Sequence, residues 1–500
     1  MTIVQLHTPE QAANWLHARV SGTLTADSRK AGKGDGFIAW PGAATDGRNY
    51  VSAALAAGAG ACLVEHAGSE IHGFNDDRVA TFEGLKAATG PIAAAYFGEP
   101  SEHLQLVAIT GTNGKTSTAW WLAQALSRLG RKCGMVGTLG IGEPGAQVSN
   151  GLTTPDPVLL QQQLRRFVDE GFAACALEAS SIGLEERRLD ATRIQIAVFT
   201  NFTHDHLDYH ASMNDYWQAK KMLFSWPGLQ AAVINADDSR GRELNAALTG
   251  TPLDIWTFSC VGPARLQAQA IHQGAHGLSF EVVEGAERYQ LSTPMVGHYN
   301  VSNLLGVMAC LRAMKVPLAN AVYACANLLP VPGRTETLAL PGLPLVVIDY
   351  AHTPDALEKV LTALQPVALG RGGRLWCVFG CGGDRDASKR PLMATVAEKN
   401  SDQLVVTSDN PRRESVGVII EQMVQGLRHP EAVHVQEDRH VAIAHALHLA
   451  QSHDVVLLAG KGHENYQEIK GVKFAFSDRD QAQAVLDAMA AARRAKAATA

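Results

Sequence analysis

Leu104-Gln105-Leu106-Val107-Ala108-Ile109-Thr110, followed at once by Gly111-Thr112-Asn113-Gly114-Lys115-Thr116-Ser117, decides the fold. The first stretch is an apolar run of the length expected for a buried strand. The second holds two glycines, a lysine and several hydroxyls, and opens a helical stretch over 117–129 closed by Gly130. Strand, glycine-rich loop and helix are the setting a phosphate-binding loop requires. Gly111 and Gly114 let backbone amides face an anion, Lys115 brings a positive charge for terminal phosphates, and Thr116 a hydroxyl for Mg²⁺. The loop is a shortened form of the common motif, with two residues between its glycines. A glycine turn that only caps a helix is the plainer reading; Gly-Lys-Thr between strand and helix argues against it.

Further strand-like runs at 173–177, 194–200 and 231–235 alternate with helical segments at 158–170 and 214–224. That alternation predicts a doubly wound parallel sheet around the loop. Upstream, to residue 103, short apolar runs at 36–40 and 61–64 alternate with glycine-rich turns and an alanine-rich helix near 50–59, again an α/β pattern. Downstream, Pro330-Val331-Pro332-Gly333 reads as a hinge. New strands are expected at 345–349, 375–380, 403–408 and 454–459. The predicted fold is therefore α/β in three domains: 1–103; a central domain, 104–332, with the P-loop on a doubly wound parallel sheet; and a C-terminal Rossmann-like domain, 333–500.

Five hundred residues exceed what a single core supports. A net charge of −6 excludes a general nucleic-acid binder. The basic run Arg493-Arg494-Ala495-Lys496 reads as a frayed, solvated helix end. Eight cysteines lie scattered, with no second pair beside Cys377 and Cys381, so free buried thiols in a reducing compartment are expected. Neither an export signal nor a run of about 18 apolar residues is present, which predicts a cytoplasmic chain without a membrane span.

Chemistry-bearing residues gather at strand ends. Glu178 closes a strand in Leu177-Glu178-Ala179-Ser180-Ser181, where open α/β sheets bind ligands. His204, Asp205, His206, Asp208 and His210 crowd the segment 201–210. Zinc is one reading of that run, but phosphoryl transfer calls for Mg²⁺ and oxygen ligands, with some of these groups left to structural duty. Lys220 and Lys221 follow Tyr216 on a helix and by spacing alone are solvated charges. Four loops of the last section, 349–354, 380–386, 409–412 and 460–464, carry Gly, Arg, Asp and His at one expected sheet edge. Asp409-Asn410-Pro411-Arg412 ends in a guanidinium fork that grips a carboxylate bidentately, as needed to choose between two diamines differing by one carboxylate.

Together these motifs resemble the Mur ligase family of peptidoglycan synthesis over nearly the whole chain. Asp27-Ser28-Arg29, Thr153-Thr154-Pro155-Asp156-Pro157, Gly297-His298-Tyr299-Asn300 and Gly333-Arg334 extend the match. The resemblance implies an ATP-dependent ligase that joins meso-diaminopimelate to UDP-N-acetylmuramoyl-L-alanyl-D-glutamate through an acyl phosphate, with Mg²⁺, acting on small molecules as a monomer. By position, Ser28, Ala43, Ala44 and Thr45 are implied to hold the uridine nucleotide, and Thr153, Thr154, Ser180 and Arg188 the muramoyl-dipeptide. Gly111, Thr112, Asn113, Gly114, Lys115, Thr116 and Ser117 would hold ATP, with Asn300 and Asp349 near its adenosine. Thr116, Glu178, His206 and Lys220 would serve the metal, Lys220 as a carbamate, and Lys115, Glu178, His206 and Lys220 form the implied catalytic set. Arg385, Asp409, Asn410, Pro411, Arg412, Gly460 and Glu464 would hold the amino acid.

The chain departs from frequent family residues at Leu152, Ile182, Glu186 and Thr335, which bears on contacts to the dipeptide. Two other readings compete: a folylpolyglutamate synthase, against which the segments 153–157 and 409–412 argue, and a nucleotide-binding scaffold without turnover, against which Lys115, Glu178, His206 and Lys220 argue.

Overall fold

Three sheets and one hairpin carry the chain in the computed structural model, which describes residues 3–42, 45–274 and 277–499. The first sheet is parallel throughout, in the order Val4–Leu6, Val79–Phe82, Ala61–Glu65, Gly36–Ala39, Leu24–Thr25. The helix expected near 50–59 is the shorter Val51–Ala56.

The central sheet runs Glu287–Thr293, Gly277–Glu284, Leu266–Gly274, Asp254–Ser259, Ala231–Asn235, Ile196–Phe199, Gln105–Thr110, Ala174–Glu178, Cys133–Gly137, Gly140–Gly142. Its middle is parallel, as predicted. Val107 and Ile109 enter one apolar layer and Leu106 and Ala108 the other, because side chains alternate along a strand. Helices Lys115–Arg128 and His298–Ala313 cover the first layer and Pro157–Asp169 the second. Asp156 caps that last helix through Val158 N and Leu159 N, ahead of Pro157. One edge departs from the expectation: Leu266–Gly274, Gly277–Glu284 and Glu287–Thr293 form an antiparallel meander. Each of its strands has a solvated face, so it lacks the continuous apolar run that marks a parallel strand.

The third sheet has the order Glu336–Leu338, Leu345–Asp349, Val455–Ala459, Leu375–Phe379, Gln403–Val406, His434–Val435. All but the first strand are parallel, so the loops after 349, 459, 379 and 406 leave from one edge. The hairpin Tyr466–Ile469 and Val472–Ala475 adds to that edge through a bridge from Ile469 to Arg412. The tail closes helix Asp478–Thr499, with Arg493 and Arg494 exposed as expected, and Arg493 donates to the Gly342 carbonyl. The segment 330–334 is a tight turn closed by a Val331–Arg334 bridge. Every cysteine is unpaired, and all but the half-buried Cys260 are buried. Among the described residues no helix is long and apolar enough to cross a membrane.

Candidate functional site

The phosphate loop is held from below by the loop after Ile196–Phe199. Gly111 has φ of 144°, and a Cβ there would lie 1.9 Å from Thr200 Oγ1, so only glycine fits. Asn201 accepts from Thr112 N through its carbonyl (2.8 Å) and from Asn113 N through Oδ1 (2.9 Å). Thr200 Oγ1 donates to the Asn113 carbonyl at 2.6 Å. Helix Lys115–Arg128 then starts without a side-chain cap, leaving its first amides to an anion. Lys115 Nζ folds back onto the Gly111 and Thr112 carbonyls, 2.9 Å from each. Burial lowers its pKa, and Glu178 and Asp205 oppose that.

Glu178 is fully buried at the end of its strand. Its Oε2 accepts from Thr116 Oγ1 (3.0 Å) and Thr138 Oγ1 (3.3 Å), and its Oε1 from Thr138 N (2.8 Å). Thr138 also meets Thr153 Oγ1 at 3.0 Å. Thr154 Oγ1 donates to the Glu178 carbonyl (2.7 Å) and lies 3.0 Å from Ser180 Oγ, while Arg188 donates to the Thr154 carbonyl (2.9 Å). The four residues expected to grip the dipeptide thus form one chain of contacts around Glu178.

His206 adopts a left-handed backbone (φ 56°) and sits 3.5 Å from Asp205 Oδ2. Burial takes its pKa down to about 4, so the imidazole is neutral at pH 7 with a lone pair to offer. Lys220 is buried, contrary to the solvated reading of its helix: Nζ donates to the Gly111 carbonyl at 2.8 Å and lies 4.3 Å over the Tyr216 ring. Burial, then Lys115, pulls its pKa well below the usual lysine range. Tyr216 OH meets Thr112 Oγ1 at 3.1 Å. His210 is structural, spending its nitrogens on Ser181 Oγ (2.9 Å) and Glu185 Oε2 (3.1 Å).

Among the described residues no three His, Cys, Asp or Glu side chains converge as a metal cage. That disfavours zinc, whose structural sites are closed by four protein ligands. Thr116 and Glu178, touching through oxygen, suit Mg²⁺, which takes few protein ligands beside phosphate and water oxygens. His206 lines the same cavity; Lys220, behind the loop, offers an amine and not yet an oxygen.

That cavity, of about 320 Å³, opens between the phosphate loop and the third domain. Asn300 and Asp349 both line it. The Asn300 amide donates to the Val296 carbonyl at 2.8 Å. Asp349 accepts from Thr335 N (2.7 Å) and Ala351 N (2.8 Å), and burial raises its pKa against Arg334. Arg334, Tyr350 and His352 also line it; their motifs stood out in the sequence, but nothing there attached a role to them. Arg334 stacks 4.3 Å from the Tyr350 ring and reaches to 3.5 Å from Thr116 Oγ1, with its Nε buried and unpartnered.

A second cluster forms on the third sheet's edge. Lys461, fully buried, directs Nζ to Asn410 Oδ1 (3.1 Å), Glu464 Oε2 (3.1 Å) and Asp409 Oδ1 (3.5 Å). Asn410 donates to Glu464 at 2.7 Å, and a Cβ on Gly460 would stand 2.9 Å from Asp409 Oδ2. The backbone carbonyl of Pro411 packs against Gly383. Arg412, 19% exposed, donates to the Gly383 carbonyl at 2.7 Å and has Glu468 at 3.6 Å. Its guanidinium thus already has a carbonyl and a carboxylate within reach. Arg385 is exposed, donates to the Asp384 carbonyl at 3.3 Å, and flanks Gly382 together with Arg412: a Cβ there would stand 3.8 Å from Arg385 Cγ and 2.9 Å from Arg412 Nη1.

On the first domain, Ser28 is half-buried in the turn after Leu24–Thr25, and Thr45 Oγ1 lies 3.2 Å from Tyr50 OH. Neither lines the main cavity. The expected contacts at Ala43 and Ala44 lie outside the described residues. Lys86 pairs with Glu186 at 2.7 Å and Gln162 donates to Thr23 at 2.6 Å, joining the first domain to the second.

Three family models match the chain: "Mur ligase family, catalytic domain" over residues 22–88, "Mur ligase middle domain" over 109–311 and "Mur ligase, glutamate ligase domain" over 333–462. The UDP-N-acetylmuramoyl-L-alanyl-D-glutamate--2,6-diaminopimelate ligase of Acidovorax sp. (strain JS42) is 58% identical over 489 residues, 96% of this chain and 97% of that protein. The ligase of the same name from Janthinobacterium sp. (strain Marseille) is 47% identical, covering 95% of this chain and 96% of its own. A solved structure of a ligase of that name is 34% identical, with a TM-score of 0.65, covering 93% of this chain and 95% of its own.

Proposed function

The chain belongs to the Mur ligase family, and on that footing we propose that it joins 2,6-diaminopimelate, in its meso form, to UDP-N-acetylmuramoyl-L-alanyl-D-glutamate at the cost of ATP, in cytoplasmic peptidoglycan precursor synthesis. The observation that carries this reading is 58% identity, over nearly the whole chain, to a ligase of that name. We set the domain boundaries near residues 103 and 332, where the apolar patterns change.

An amide from a carboxylate requires activation. The D-glutamate γ-carboxylate attacks the γ-phosphoryl group of ATP, releasing ADP and leaving an acyl phosphate. An amine of diaminopimelate attacks the acyl carbon, the C–N bond forms, phosphate leaves and the amine loses a proton. Lys115 and the first amides of helix Lys115–Arg128 meet the phosphates, Lys115 exchanging the Gly111 and Thr112 carbonyls for phosphate oxygens. Arg334, with Nη2 beside Thr116 and Nε unpartnered, adds positive charge from the opposite wall. Asn300 and Asp349 face the nucleoside. Thr116, Glu178 and His206, with Lys220 as a carbamate behind them, would hold Mg²⁺, which would supply neutralising charge for the phosphoryl oxygens. Thr153, Thr154, Ser180 and Arg188 orient the dipeptide, and Ser28 with the loop 43–45 the uridine nucleotide. Asp409, Asn410, Pro411, Arg412, Gly460 and Glu464 receive the amino acid, with Arg412 on its distal carboxylate and Arg385 at the rim. Walls from two domains keep water from the acyl phosphate.

Phosphate release measured with the UDP-dipeptide and ATP, comparing meso-diaminopimelate with L-lysine, tests this. We expect release with diaminopimelate and little with lysine, and a diaminopimelate KM raised about 10- to 100-fold in Arg412→Ala. Equal use of lysine would remove Arg412 as selector while keeping the ligase; no release with either amine would end the catalytic reading.

A further inference from the structure

Arg439 and Asp478 form the most enclosed ion pair among the described residues, both side chains at 0% exposure. The pair is bidentate, with Nε 2.7 Å from Oδ1 and Nη2 2.6 Å from Oδ2. The rest of the fork takes two backbone carbonyls: Nη1 donates to Ser408 O at 3.1 Å and Nη2 to Ala459 O at 2.9 Å. Ser408 directly precedes Asp409, and Ala459 directly precedes Gly460.

The strands behind those carbonyls, Gln403–Val406 and Val455–Ala459, are not neighbours, because Leu375–Phe379 lies between them. Ladder hydrogen bonds join only adjacent strands. A single guanidinium therefore spans the end of the middle strand and ties its two flanking strands together. Gly380, just past that middle strand, lets the 407–409 backbone approach closely: a Cβ there would stand 2.5 Å from Thr407 O and 2.8 Å from Asp409 N. Asp478 is the first residue of helix Asp478–Thr499, where a carboxylate is favoured, so the fork is anchored to a rigid element.

A buried ion pair is poor evidence for stability as such, since apolar replacements often serve as well. What an apolar pair cannot do is hold two carbonyls at a fixed separation. We propose that Arg439, oriented by Asp478, is a positioning residue that sets the spacing between the 409–412 and 460–464 segments, and with it the shape of the amino-acid site. This rests on the reading of those segments given above. Neither side chain touches the substrate. Their effect passes through Asp409, Asn410 and Glu464, which the Lys461 contacts already draw together. Burial works against the Arg439 charge, but Asp478, with Asp409 and Glu464 further off, keeps its pKa above the ordinary value.

The test uses the full chain carrying Arg439→Lys, which keeps the charge but loses the fork, or Asp478→Asn, which keeps the shape but loses the charge. KM values for the three substrates are measured beside a thermal melt. We expect the diaminopimelate KM to rise about 10- to 100-fold in Arg439→Lys, and less in Asp478→Asn, with the KM for ATP and for the UDP-dipeptide changed by less than about twofold. A joint rise in all three KM values, or a lower Tm with all three unchanged, overturns the proposal. If Arg439→Lys does not fold, Asp478→Asn decides on the same criteria. Wild-type enzyme that releases no phosphate with diaminopimelate would instead sink the functional reading beneath it.

Discussion

Lys220 stands on helix Met213–Lys221, beside a half-exposed Lys221, yet only 1% of it is accessible. A lysine that deep is costly to charge, and burial together with Lys115 depresses its pKa. In the carbamylation proposed above, the neutral amine would attack CO₂: the N–C bond forms, a proton leaves and a carbamate anion takes the amine's place. Lys220→Ala is expected to lower kcat roughly 100- to 1000-fold, the usual scale for losing a preorganised charge at a reacting centre. Truncation also leaves space where a small carboxylate can sit, so millimolar formate should restore part of the rate in Lys220→Ala and none in Lys220→Arg. Phosphate release with and without formate checks this; a Lys220→Ala enzyme of normal rate would remove the carbamate from the mechanism. Nothing in the local spacing distinguishes Lys220 from Lys221, because the carbonyl that receives its Nζ belongs to Gly111, 109 residues away.

At the scale of elements, the segment from strand Gln105–Thr110 to helix Lys115–Arg128 works because its turn has no side chain at Gly111. Gly111→Ala would set a methyl 1.9 Å from Thr200 Oγ1 at φ 144°. Left-handed strain of about 1–2 kcal/mol comes on top of that clash, and the loop must shift away from the anion. Nucleotide affinity should fall at least tenfold. Saturating ADP should stabilise wild-type protein by mass action and give the variant a much smaller rise in Tm. An equal rise would mean the loop does not carry the phosphates. This element was legible in the sequence to within a residue or two, as were Ala174–Glu178, Leu345–Asp349 and Val455–Ala459, because a doubly buried strand and a glycine turn are local signals. The meander from Leu266 to Thr293 was not, since its pattern blurs at Gln269–His272, where the register shifts. Arg439 and Asp478 were invisible for a different reason: 39 residues apart on two helices, they carry no motif, and their meaning lies wholly in which carbonyls they reach.

Across the whole molecule, the phosphate loop and the third domain meet at few points, and Asp355 makes one of them. Its Oδ2 accepts from Asn113 Nδ2 at 3.0 Å, across 242 residues, and from Lys359 at 2.9 Å. Arg334 reaches Thr116 beside it. A chain of contacts ties the first domain to the same region, with Lys86 on Glu186 and Glu186 accepting from Tyr209 OH at 2.9 Å, in the loop that bears His206. An acyl phosphate survives only while these walls stay shut against water. Asp355→Ala should barely change Tm, because partly exposed polar contacts contribute about 0–1 kcal/mol to folding. Closure is a finer balance: losing one hydrogen bond of about 0.5–1.5 kcal/mol shifts it roughly two- to tenfold. The expected result is phosphate released in excess of ligated product, by about that factor, with the diaminopimelate KM little altered. Phosphate and product counted in the same reaction give the ratio directly. A ratio of one in Asp355→Ala would mean that the Asn113–Asp355 contact does not guard the intermediate, and that water is kept out by the remaining walls alone.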